Sequence, residues 1–178
     1  MFIKSAKKNR HLGVSLVETL FGLGIGAIVL TAVAQITILT SRNYAAITNY
    51  ADLDRQSRNA LDQMSWKIRN ATALTAYTTN ALTFTYPSSG SLSYSYSSST
   101  KQLTETFNGV NTILLSNCYA LEFAVYQRTV VSNTFDQYTT TTPSSVKVIQ
   151  VSWQCQKSIL GSLINSESVQ SAKVVMRN

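Results

Sequence analysis

From Thr19 to Ser41 the chain runs 23 residues without a charge, enough for a helix to span a hydrocarbon core that needs about 20. Past Arg42 the pattern changes. Leu53, Ala60, Leu61, Met64, Ile68 and Ala71 recur at spacings of three and four, which places them on one helical face, and Arg55, Arg58, Asp62 and Arg69 fall mostly off it. No Gly or Pro occurs between Ala27 and Tyr86, so nothing forces a break. The pattern predicts one helix from about Ser15 to about Ala73, its first half apolar all round and its second half packed on a sheet.

From Ala81 onward the period becomes two. Leu82, Phe84 and Tyr86 alternate with threonines and end at the turn signal Pro87-Ser-Ser-Gly90; Leu92, Tyr94 and Tyr96 alternate with serines. Leu103–Phe107, then Asn108-Gly109, then Thr112–Leu115 predict a hairpin. Further strands are expected at Ala120–Gln127, Val146–Gln156 and Ala172–Met176, with the Thr- and Ser-rich stretch Ser132–Ser145 as an exposed loop. A long helix followed by antiparallel strands is an α+β arrangement. The expected organisation is a leader over 1–13, an apolar helix over 14–41, its continuation over 42–75 and an antiparallel β region over 76–178.

Charge changes the picture less than its total implies. The net +7 would ordinarily prompt a search for nucleic-acid contacts. Yet Lys4, Lys7, Lys8 and Arg10 all lie in the first ten residues, and removal of residues 1–13 leaves eleven basic against eight acidic residues, a net +3. The basicity belongs to the N-terminus, where it directs the following bulk across the membrane and keeps the leader cytoplasmic.

The N-terminal segment departs from an ordinary secretory signal in two ways. No A-x-A-like site follows the apolar run; instead Gly13 stands between the basic and apolar parts. Glu18 also sits near the start of the apolar run, where a carboxylate costs up to roughly 2.5–3.5 kcal/mol if it reaches the bilayer centre, which implies a partner. Gly13 followed by Val14, Ser15, Leu16, Val17 and Glu18 resembles the class III signal peptide of type IV prepilins and type II secretion pseudopilins. That resemblance implies a prepilin peptidase cutting after Gly13, N-methylation of Val14 and a Glu18 that meets a neighbour's N-terminal amine during assembly. It also implies an inner-membrane assembly platform, other pilin or pseudopilin subunits and the lipid membrane as partners, and a single-pass inner-membrane location before assembly. The chain departs from the family pattern at Val14, where Phe or Met is usual, and at Gln35, where many major pilins carry a proline. The segment from Leu53 to Thr72, the closing SAKVVMRN and the size are similar to J-type or W-type minor subunits.

Gly22, Gly24 and Gly26 do not form a phosphate loop, because no strand precedes them. Gly22 and Gly26 instead make a G-x-x-x-G pair that permits close helix approach, or simply a flexible helix start. Cys118 and Cys155 could form a disulfide worth about 3–4 kcal/mol in an exported domain; two buried thiols are the alternative. With His11 they make no metal set. His11, the one histidine, lies in the leader, the acids show no catalytic pairing, and no cofactor is implied, so an enzyme is not expected. The leading expectation is a structural or assembly subunit. A pilin-like binding module for DNA uptake or adhesion is the alternative, with Arg128 among scattered basic residues, although +3 argues against strong phosphate binding. A membrane-anchored protein unrelated to filaments is the third.

Overall fold

A computed structural model describes residues 15–128, 136–159 and 167–177. The chain divides into two units, Met1–Asn43 and Tyr44–Asn178, and one helix, α1 (Leu16–Asn70), begins in the first and ends in the second.

In the first unit α1 is apolar and uncovered: Leu16, Phe21, Ile28, Val33 and Leu39 are all more than half exposed. A window of this segment is long and apolar enough to cross a membrane, and none of it is buried within the chain. At 1.5 Å per residue, the charge-free run Thr19–Ser41 measures about 35 Å, against a hydrocarbon core of about 30 Å.

In the second unit α1 buries Leu53, Ser57, Ala60, Met64 and Ile68, a stripe at spacings of four, three, four and four. Leu61, expected on this face, is only partly buried at its margin. The helix ends at Asn70, short of the expected boundary. Asn70 turns its side-chain amide back to the Trp66 carbonyl, and the Thr72 N–H leaves the helical ladder for the carbonyl of Thr85. The residues from Ala73 form a strand where the periodicity predicts the helix continuing to about Ala73 and its extension to residue 75.

The β region comprises β1 (Ala73–Thr78), β2 (Ala81–Tyr86), β3 (Gly90–Ser97), β4 (Gln102–Phe107), β5 (Val110–Leu115), β6 (Cys118–Arg128), β7 (Gln137–Thr139), β8 (Val148–Gln156) and β9 (Glu167–Val175). They make two antiparallel sheets where the pattern implied one: a meander β1-β2-β3-β4-β5 and a four-stranded sheet β7-β6-β8-β9. Residues 137–139, expected in a loop, pair with Tyr126–Arg128 as β7, and β9 begins five residues before its expected start.

The alternation read from the sequence fills the core. Leu82 and Phe84, Leu92 and Tyr94, and Leu103 from the first sheet are buried with Phe123, Val151 and Trp153 from the second. The Asn108-Gly109 hairpin forms as expected, with both residues at positive φ (50° and 84°), the twist that joins adjacent strands in two residues.

Candidate functional site

Within the first unit, four hydroxyls of the apolar helix are satisfied by the helix itself. The hydroxyls of Thr19, Thr31, Thr37 and Ser41 donate to the carbonyls of Leu16, Ile28, Val33 and Thr37 at 2.8–2.9 Å. A segment in hydrocarbon must bond its polar groups internally, and these hydroxyls do. Glu18, in the first turn, is different: it makes no hydrogen bond or ion pair with any described residue. Its place near the helix N-terminus is favourable for a negative charge, and no described residue engages its oxygens.

Gly22, Gly24 and Gly26 have the same character. A Cβ built on any of them meets nothing within 4 Å. Each glycine in a helix interior costs about 1 kcal/mol relative to alanine, and no packing among the described residues requires their small size. The expected cleavage and methylation residues, Gly13 and Val14, lie outside the described residues, as does His11.

In the second unit, polar groups fix α1 to both sheets. Trp153 on β8 donates its indole N–H to Ser57 Oγ at 3.1 Å, with both residues buried. Lys67, near the helix end, pairs with Glu105 on β4, whose side chain is only 3% exposed. The ammonium also lies 4.7 Å from the centre of the Phe107 ring, and Tyr86 packs edge-on against that ring. Burial first, then the Glu105 charge, raises the pKa of the Tyr94 hydroxyl far above its ordinary range. Neither Tyr94 Oη nor Glu105 Oε2 completes a hydrogen bond of good geometry with the other or with any other described residue. Tyr86 is raised in the same direction by the same two causes. Lys157 reaches Asp52 at 3.2 Å.

Cys118 and Cys155 face each other across β6 and β8 and are disulfide-bonded, both almost completely buried. The bridge lies beside the crossover between sheets: Cys118 accepts at its carbonyl from the Tyr96 hydroxyl and donates its N–H to the Lys101 carbonyl.

The structure therefore separates two groups of residues. Glu18, Gly22 and Gly26 share an uncovered helix, whereas Ser57, Lys67, Glu105 and the cysteine pair hold the second unit together. Ser57 and Glu105 were absent from the sequence reading. Both could have been found by periodicity, since Ser57 falls on the helical stripe and Glu105 lies in phase with Leu103 and Phe107. Among the described residues no group of three His, Cys, Asp or Glu side chains converges as a metal site. Comparison with protein-family models and with curated proteins returns no match to this chain.

Proposed function

We propose that this chain is a subunit of a type IV pilin-like filament, a minor pilin or pseudopilin, stored in the inner membrane and assembled through its N-terminal helix. The observation that carries the reading is the apolar segment of α1, exposed along its length, with a Glu18 that has no partner among the described residues. An apolar surface of this extent needs lipid or other helices to cover it. The glycines, which pack against no described residue, fit helix neighbours better than lipid alone.

In this mechanism the basic leader stays cytoplasmic and the β region is exported, a placement to which the Cys118–Cys155 bridge is suited. Prepilin peptidase cuts after Gly13, and the new terminal amine at Val14 is methylated. The helix then leaves the membrane for a bundle of like helices. There Glu18 accepts the ammonium of a neighbour, which offsets the cost of burying either charge alone.

Mass spectrometry of the mature N-terminus tests this directly. The expected product begins at methylated Val14 and is lost on substitution of Gly13, whereas Glu18→Ala is processed but does not enter filaments. A chain that keeps residues 1–13 in peptidase-positive cells would overturn the filament reading. Normal incorporation of Glu18→Ala would overturn the charge-pairing role alone.

A further inference from the structure

Four strands lie at the edges of the two sheets: β1 and β5 in the first, β7 and β9 in the second. An edge presents a row of backbone N–H and C=O groups to any passing strand, and folded proteins guard such rows by shortness, cover, charge or proline. Three of the four edges are guarded. β1 is flanked by the Pro143–Ser145 turn, and the Tyr77 hydroxyl and Thr79 carbonyl beside it bond to the backbone of Phe123. β7 is three residues long. β9 carries Glu167 and Lys173.

Among the described residues, β5 has none of these protections. Its sequence, Val-Asn-Thr-Ile-Leu-Leu, contains no charge and no proline. Val110 and Ile113 are 66% and 56% exposed, and their odd spacing places them on opposite faces of the strand. Among the described residues, the β5 backbone bonds to β4 alone. An irregularity in register sets Leu103 opposite Leu115 while Thr104 opposes Ile113, leaving Leu114 as an extra residue. Such a bulge bends the strand, so the regularly paired, open run is Val110–Ile113.

We propose that β5 pairs antiparallel with β5 of a second copy of this chain, across a two-fold axis at Thr112 that sets Thr112 opposite its own copy, Asn111 opposite Ile113, and the two Ile113 side chains diagonally on one face. An uncharged strand can face its own copy without setting like charges opposite one another. The other edges of a neighbouring copy are short, flanked or charged, so its β5 is the complementary edge it offers. The contact is isologous and closes on itself: it joins chains in pairs and cannot propagate as a head-to-tail contact does. A run of four residues buries well under the roughly 1,000 Å² of a stable interface. The pairing therefore needs the high local concentration of a membrane or a filament. It stands independently of the filament reading.

The chain has no free cysteine among its described residues, so one introduced thiol is a clean reporter. The full-length protein is reconstituted in vesicles as Thr112→Cys, and separately as Ser99→Cys, an exposed control in the β3–β4 turn. Both are exposed to a mild oxidant. Thr112→Cys is expected to form disulfide-linked dimers on the order of 10²-fold faster than the control, the advantage of a paired over a random encounter. Adding Ile113→Lys, which sets a charge beside its own copy, should bring that rate down to the control's. Equal rates at positions 112 and 99 would overturn the proposal, as would a fast rate that survives Ile113→Lys. Dimers held by α1 alone would give equal rates and so count against it.

Discussion

Replacing Lys67 with Met separates two contributions that the structure combines at the end of α1. The Glu105 side chain is 3% exposed and the Lys67 side chain 19%, so the pair is well shielded from solvent and surface-bridge values do not apply. Removing one partner leaves a buried carboxylate uncompensated, a loss of about 3–5 kcal/mol. Part of that loss has another origin, because the Lys67 ammonium also lies over the Phe107 ring; a cation–π contact contributes about 0.5–2 kcal/mol. The double variant Lys67→Met with Glu105→Leu removes both charges while keeping similar volume. Burying an ion pair costs nearly what its attraction returns, so an apolar replacement is often neutral or better. The double variant is therefore expected to lie within about 2 kcal/mol of the parent, and well above the single variant. Urea unfolding of the full chain in detergent, followed by tryptophan fluorescence, provides the measurement. One of the two tryptophans, Trp153, is buried at the helix–sheet contact and reports its loss. If Lys67→Met costs less than about 1 kcal/mol, as a solvent-exposed pair would, the buried-charge reasoning is wrong. Equal losses in the single and double variants would also refute it.

Two further variants probe other fixings of the second unit. Cys118→Ala with Cys155→Ala opens a loop whose ends are 37 residues apart, and loop-closure entropy sets the expected loss at about 4 kcal/mol. The same denaturant titration reads it as a lower midpoint, and an unchanged midpoint would mean that the bridge does not constrain the unfolded chain. Ser57→Ala leaves the buried Trp153 indole N–H without its acceptor, at an expected cost of about 1–3 kcal/mol. Trp153→Phe in the Ser57→Ala background should recover part of that loss, and a larger combined loss would show that packing outweighs the hydrogen bond.

Local periodicity made the elements legible but not their partners. The apolar run, the Leu53–Ile68 stripe and the Asn108-Gly109 hairpin each declare themselves within a few residues, because side-chain direction depends on local backbone geometry. The division into two sheets does not, since the Asn108-Gly109 turn marks β5 and alternation marks β6 as strands without saying that the chain changes sheet at Ser116-Asn117. β1 was hidden because Ala73-Leu-Thr-Ala continues plausibly from a helix, and only pairing with β2 draws it into a ladder. β7 was hidden by its hydroxyl-rich surroundings, which read equally as loop. Ser57 and Glu105 were passed over for a related reason: a polar residue at an apolar phase looks like an interruption until its partner, 96 or 38 residues away, is known. Glu18 was the reverse case, conspicuous in sequence because a carboxylate interrupts an apolar run, and still without a partner among the described residues.

The disulfide has a mechanical consequence as well as a thermodynamic one. Tension between α1 and the C-terminus enters the β region at β1 and leaves it at β9. Residues 118–155 are bypassed, because the load crosses from one strand to the other through the sulfur atoms. At about 3.4 Å per residue, some 120 Å of contour length is withheld from extension. While the bridge is intact, a pulled chain can give up the first sheet and the end of the second, but the β6–β8 ladder keeps its length.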